Sequence, residues 1–158
     1  MKVGILSDTH GSYKQAAKSL MLHNVDVIIH LGDFSDDGRD IGEITQKPIY
    51  FVRGNNDYVA TDEPSELFIN IGGIDFFITH GHKYNVYSGL TNLKFRAITA
   101  GAQVALFGHT HVYFKEISEN ILFLNPGSPS YPRFGDKKGY VIFDTNNLKT
   151  KRIIMEED

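Results

Sequence analysis

The sequence contains no cysteine. Without thiols there is no disulfide, no thiolate metal site and no cysteine nucleophile, so any metal held here sits among nitrogen and oxygen ligands. Neither sign of charge is in large excess: 16 Lys and Arg stand against 19 Asp and Glu, a formal net charge of −3. That balance gives no global attraction for nucleic acid or an anionic membrane, so recognition of phosphate must be local. Long apolar runs are missing too. None approaches the roughly 18–20 residues of a membrane span, and Val3 to Leu6 falls well short of the roughly 7–15 of a secretory h-region. These absences predict a cytoplasmic protein with no membrane partner. The 158 residues, 41% hydrophobic and 22% charged, suit one domain over 1–158 with a core of its own.

The first half alternates. Val3 to Leu6 reads as a strand buried on both faces, Ser12 to Leu22 as a helix with Ser12 as N-cap, and Val25 to Leu31 as a second strand. A short helix over Arg39 to Thr45 and a strand over Pro48 to Val52 follow. The alternation predicts a parallel sheet with right-handed crossovers. The second half is richer in strands. Leu67 to Ile71 and Ile74 to Thr79 flank Gly72-Gly73, a two-residue hairpin signal. Leu90 to Ala100 reads as a helix stopped by Gly101. Val104 to Phe107, Tyr113 to Ile117, Ile121 to Leu124, Tyr140 to Phe143 and Lys151 to Met155 read as strands. Phe68, Phe76, Phe77 and Phe107 lie on strand patterns and are expected in the core.

Polar residues collect at the carboxyl ends of the strands, where open α/β sheets bind ligands. The first strand ends in S-D-T-H, with Asp8 and His10, and the second in L-G-D, with Asp33. The third ends in R-G-N-N-D, with Asn55, Asn56 and Asp57. Later strands end in T-H-G-H, with His80 and His82, and in G-H-T-H, with His109 and His111. Taken singly each is weak, since Gly-Asp and Asn-Asp clusters also make ordinary turns. The pair in G-H-T-H is more pointed, because imidazoles at i and i+2 of an extended segment face one side. As a set, Asp, Asn and His suit Mn²⁺, Fe, Zn²⁺ or Co²⁺ better than Ca²⁺, which prefers an all-oxygen shell. Asp8, His10, Asp33, Asn55, His80, His109 and His111 are too many ligands for one such ion, but two ions use them if a carboxylate is shared. Two divalent ions bring +4, Asp8 and Asp33 offset −2, and the remaining +2 attracts a phosphoryl group and hydroxide. That is the chemistry of a two-metal phosphate hydrolase.

The ordered set D-x-H, G-D, G-N-x-D, G-H and G-H-x-H resembles the calcineurin-like metallophosphoesterases. The short chain with H-G-H and N-P-G-S is similar to their small bacterial and archaeal phosphodiesterase branch, and the match runs from Asp8 to Ser128. The resemblance implies an α/β fold, a four-layer α/β/β/α sandwich of two mixed β-sheets flanked by helices. It implies one ion at Asp8, His10 and His111, a second at Asn55, His80 and His109, and Asp33 as the bridge. The implied function is a dinuclear-metal-dependent phosphoesterase, foremost a phosphodiesterase acting on a small phosphate ester, with a metal-bridging hydroxide attacking phosphorus. Mn²⁺ is the first expectation, with Ni²⁺, Zn²⁺, Fe or Co²⁺ as alternatives. The scaffold also resembles the retromer subunit of eukaryotes, a protein-binding relative without activity; the complete ligand set, Asp33 included, favours the enzyme. Nucleic acid is not expected as a partner, for want of a basic stripe, and homo-oligomerisation is left open.

One position departs from the family pattern. Many members carry His after the Asn of G-N-x-D, where it assists the phosphoryl transition state and leaving group. Here that residue is Asn56, which donates a hydrogen bond but transfers no proton at neutral pH. Asn56 and His82 are the catalytic candidates, and Asn56 and Arg133 the substrate-binding ones. His82 reads equally well as a loop histidine. Structural roles are expected for Asp57 in its turn, His30 in the core and Asn125-Pro126-Gly127-Ser128 as a loop. No insertion between the motifs resembles a cap, so the pocket is expected to be open.

Overall fold

The computed structural model describes residues 1–60 and 62–156. In chain order the elements are β1 (Lys2–Leu6), α1 (Lys14–Leu22), β2 (Val27–His30), α2 (Ser35–Thr45), β3 (Ile49–Phe51), β4 (Glu66–Ile71), β5 (Ile74–Thr79), α3 (Thr91–Ala100), β6 (Val104–Leu106), β7 (Tyr113–Ser118), β8 (Ile121–Pro126), β9 (Gly139–Asp144) and β10 (Lys149–Ile154). Short 3₁₀ turns at His82–Tyr84 and Val86–Ser88 follow β5. Among the described residues no helix is long and apolar enough to cross a membrane.

Two five-stranded sheets form, ordered β10-β9-β1-β2-β3 and β4-β5-β6-β8-β7. Both are mixed. β1, β2 and β3 run parallel, as the alternation predicts, while β9 returns antiparallel on the other edge of β1. In the second sheet β5, β6 and β8 are parallel and the hairpin partners β4 and β7 antiparallel. Gly72 and Gly73 close the β4–β5 hairpin with φ of 57° and 86°, the two positive values a type I′ turn requires.

Period-2 alternation sorts the side chains into layers. Val3, Ile5, Val27 and Ile29 face Phe76, Ile78, Val104 and Leu106 across the sheets, each buried side chain contributing about 1.5–3 kcal/mol. Leu6 and Ile28 point the other way and pack on Ala16, Ala17 and Leu20 of α1 and Ile41 of α2. Gly4 lets α1 approach: a Cβ there would stand 2.5 Å from Leu20 Cδ2. Leu93 and Ala97 of α3 cover Phe77, Ala105 and Phe123 on the outer face of the second sheet. The order is α/β/β/α, as expected.

Some local expectations fail for tertiary reasons. Ser12 does not cap α1; its N–H closes a turn onto the Thr9 carbonyl (3.0 Å), and the helix starts at Lys14 behind Tyr13. α2 starts at Ser35, not Arg39, because the Asp57 carboxylate accepts the Ser35 N–H (2.8 Å) from another loop. β10 spans Lys149–Ile154 instead of Lys151 to Met155. Phe76, Phe77 and Phe107 are buried, but Phe68, on edge strand β4, is 49% exposed.

Candidate metal centre

The carboxyl ends of β1, β2, β5 and β6 meet at one edge of the sandwich. His80, just past β5, donates from Nδ1 to the Leu31 carbonyl (2.7 Å), and the His109 N–H reaches Asp8 Oδ2 (3.0 Å). The motif glycines permit this approach. A Cβ on Gly54 would strike Asp33 Oδ1, and one on Gly108 would strike Ser7 Oγ.

The backbone that presents the candidate ligands is not extended. Asp8, His10, Asp33, His109 and His111 all have positive φ, between 46° and 71°. Asp and His are enriched in this region, but each such residue still costs on the order of 1–3 kcal/mol. β6 ends at Leu106, so the i, i+2 rule for extended chain does not govern G-H-T-H. The two histidines turn to different neighbours instead. His111 Nε2 lies 3.3 Å from His10 Nε2 and 3.3 Å from Asp8 Oδ1, whereas the His109 ring meets the His80 ring edge-on, centroids 5.1 Å apart.

Asp8, His10, Asp33 and His111 offer ligand atoms that all lie within 4.8 Å of one another. Asp33 faces two ways, with Oδ2 3.6 Å from His10 Nε2 and Oδ1 3.4 Å from His80 Nε2. His80 Nε2 is also 3.1 Å from Asn55 Oδ1. A carbonyl can only accept, so the contacts of His80 Nδ1 with Leu31 and of His111 Nδ1 with Tyr131 (2.6 Å) fix the protons on Nδ1 and turn both Nε2 atoms to the centre. Asp8 Oδ2 accepts the Ser7 hydroxyl (2.7 Å), while Oδ1 is buried with no hydrogen-bond partner. Converging lone pairs in a buried setting are satisfied by a cation better than by hydrogen bonds, and this N/O donor set fits a divalent transition ion.

Electrostatics agree. Burial raises the Asp8 carboxyl, but His111, His80 and Ser7 outweigh it and hold it below the usual carboxylate range. Burial lowers His10 and His109 and takes His82 down to about 4, so these imidazoles are neutral at pH 7. Burial also lowers His111, but Asp8 overrides it and leaves it raised.

The flanking residues have defined tasks. Asn56 donates its N–H to Asp33 Oδ1 (2.9 Å) and its Nδ2–H to Oδ2 (2.7 Å), so one face of its amide is turned onto that carboxylate. Asp57 accepts the N–H groups of Asp33 (3.0 Å), Gly54 (2.6 Å) and Ser35, the structural role its sequence context suggests. His82 is half-buried beside His80 and His109, its Nδ1 without a partner. Arg133 is exposed; its N–H holds the His111 carbonyl (3.1 Å) and its guanidinium meets the Tyr87 hydroxyl.

Other supports escape a reading by motif. Ser128 Oγ donates to the Asp8 carbonyl (2.8 Å), Ser130 Oγ to the Thr9 carbonyl (2.7 Å), and Asn125 Nδ2 to the Gly108 carbonyl (2.9 Å). N-P-G-S was visible as a motif, but nothing local ties it to Asp8. His30 is the buried core histidine expected, yet it links two ligand loops: Nδ1 accepts the Gly32 N–H (3.2 Å), so Nε2 donates to Thr9 Oγ1 (3.0 Å). Phe34, Tyr87 and Tyr131 ring the centre as aromatic neighbours of His10 and His109.

A two-sheet sandwich with an Asp, Asn and His cluster at its edge is the architecture of metallophosphoesterases. The model of the calcineurin-like phosphoesterase superfamily domain matches residues 1–148, and the chain belongs to that superfamily. It is 34% identical over 149 residues to the probable metallophosphoesterase YsnB of Bacillus subtilis, covering 93% of this chain and 86% of that one. A phosphodiesterase of Methanocaldococcus jannaschii is 28% identical, covering 99% and 100%. Among solved structures, an archaeal phosphodiesterase superposes with a TM-score of 0.80 at 27% identity, covering 98% of this chain and 100% of that one. Zinc-bound Vps29 of Entamoeba histolytica superposes with a TM-score of 0.79 at 18% identity, covering 98% and 99%, a likeness of fold alone.

Proposed function

We propose that this chain is a dinuclear-metal-dependent phosphodiesterase, a single-domain cytoplasmic enzyme hydrolysing a small phosphate ester. The reading is carried by Asp33, whose two oxygens point to two different groups of nitrogen ligands. Asp8, His10 and His111 would hold one ion, Asn55, His80 and His109 the other, with Asp33 shared and Mn²⁺ the preferred metal. Such ions, when bound, lower the pKa of water and neutralise charge on the phosphoryl oxygens.

The remaining residues keep that arrangement in place. Leu31 and Tyr131 hold His80 and His111 as Nδ1–H tautomers, Asn56 fixes both oxygens of Asp33, and burial keeps His10 and His109 neutral. In the reaction hydroxide forms a bond to phosphorus, one ester P–O bond breaks, and the alcohol leaves with a proton. Asn56 supplies no such proton. Esters with poor leaving groups should therefore turn over slowly against p-nitrophenyl esters, and Asn56→His should narrow the gap; an unchanged ratio would count against this.

The direct test is hydrolysis of bis-p-nitrophenyl phosphate by metal-stripped protein refilled with Mn²⁺, beside Asp33→Asn. Mn²⁺-dependent turnover that disappears in the variant supports the reading. Folded, metal-loaded protein inactive with Mn²⁺, Ni²⁺, Co²⁺ and Zn²⁺ would overturn it in favour of a protein-binding scaffold.

A further inference from the structure

Two clefts with no lining residue in common open beside the centre. The first, about 390 Å³, is walled by Phe34, Asn56, Tyr58 and Val59. The second, about 400 Å³, runs past His10 and His111 between Tyr131 and Arg133. Tyr131 also lines a third hollow of about 680 Å³ that holds Lys14, Lys18 and Lys138. A diester has two arms, and the centre has two exits.

The exits differ in charge. Asp36, Asp62 and Glu63 line the first cleft, and its one cation, Arg39, is already paired with Asp36 and Glu63. A second phosphate would be repelled there. On the other side, among the described residues, no carboxylate lines either hollow and Lys14, Lys18 and Lys138 form no ion pair. These cations come from α1 and from the loop before β9, so folding aligns what the sequence separates.

The exits also differ in surface. Phe34 directly follows Asp33 and adopts φ 66° and ψ 61°, a left-handed conformation that is an outlier for a bulky residue. The ring is not buried by that turn: it stays 42% exposed, its centroid 5.0 Å from that of His10. With Tyr58, 79% exposed, it gives the first cleft aromatic faces on which a planar group stacks.

We propose that the substrate is an asymmetric, nucleotide-type phosphodiester, with an uncharged planar arm on Phe34 and an arm bearing a further phosphate over Lys14, Lys18 and Lys138. This inference rests on the phosphodiesterase reading and adds the substrate class. Two probes isolate it: thymidine 3′-(p-nitrophenyl phosphate) with and without a 5′-phosphate. Water adds across the aryl P–O bond of each, releasing p-nitrophenol and leaving thymidine 3′,5′-bisphosphate or thymidine 3′-phosphate.

With Mn²⁺-loaded protein, the 5′-phosphorylated probe should show a kcat/KM roughly tenfold higher, through KM, with the advantage shrinking as salt rises. Calorimetry should show thymidine 3′,5′-bisphosphate binding roughly tenfold more tightly than thymidine 3′-phosphate. Lys14→Ala with Lys18→Ala, both on the exposed face of α1, should bring both ratios close to one. Phe34→Ala should raise KM for either probe roughly fivefold or more. Equal kcat/KM and equal product affinity in the unaltered protein would overturn the cationic arm, and an unchanged KM in Phe34→Ala the planar one. Turnover of bis-p-nitrophenyl phosphate in the same preparation shows that the phosphodiesterase reading survives such a result. No turnover of any probe would remove both.

Discussion

The two halves of the centre are built to different standards. Around Asp8 the candidate ligands are mostly buried and each carboxylate is held twice, Asp8 by Ser7 and the His109 N–H, Asp33 by two donors of Asn56. His111 is buried and fixed by Tyr131. Around His109 only His80 has comparable support. Asn55 is exposed and, among the described residues, its side chain hydrogen-bonds only His80, and the half-buried His109 ring lies against the rings of His80, His82 and Tyr87. One half is held in place by the protein alone, while the other has fewer supports of its own. For the proposed dinuclear centre this difference predicts a sequence of binding, a tight first ion and a weaker second.

The change expected to matter most removes what the halves share. Asp33→Asn should lower bis-p-nitrophenyl phosphate turnover by roughly a thousandfold or more, because the proposed centre would lose the charge and one of the two oxygens its ions share. Residual activity within about tenfold would break the picture of one coupled centre. Next come the two histidines of G-H-T-H. In Mn²⁺ titration calorimetry His111→Ala should abolish the tighter of two steps, whereas His109→Ala should keep it and weaken the later one. Equal effects would erase the distinction between the halves.

A smaller loss follows from Asn56→Ala, which releases Asp33 Oδ2, leaves the backbone N–H on Oδ1 and removes no ligand. Metal affinity should fall by roughly 10–100-fold, the usual range for residues that orient ligands. A loss of turnover with unchanged affinity would assign Asn56 to the substrate instead.

The tight half also carries a pH dependence. Burial drops His30 to about 4 from 6.5. A histidine with a depressed folded pKa contributes stability above its unfolded pKa and loses it as pH falls toward the folded one. Unfolding free energy should therefore decline between pH 6.5 and 4, by on the order of 3 kcal/mol from this group. Urea titrations at several pH values should show that slope flattened in His30→Gln. The mildest expected effect is chelation: stripping the ions should lower Tm by several degrees, since ligand at about 100 times Kd adds about 2.7 kcal/mol.

The sequence carried most of this architecture because strands and ligands obey local rules. β-branched and apolar runs gave ten strands, and polar residues at strand ends gave the candidates that the fold gathers at one edge. The signs of the backbone angles were not local. Asp33 turns left-handed over the bare backbone of Gly54, and α2 begins where Asp57, 22 residues on, receives Ser35. G-H-T-H shows the same limit: spacing suggested two rings on one side, and two positive φ values sent them to separate neighbours. The aromatic rim was hidden for another reason, since an exposed Phe34 has the same letter as a core phenylalanine.

Ser128 and Ser130, which hold the carbonyls of Asp8 and Thr9, have a consequence for the order of synthesis. The first ligand loop leaves the ribosome 120 residues ahead of the Ser128 that clasps it. β9, which flanks β1 in the sheet, emerges later still. The centre therefore closes only after β9 has been made, and a chain stopped before Ser128 carries all seven candidate ligands without the frame that aligns them.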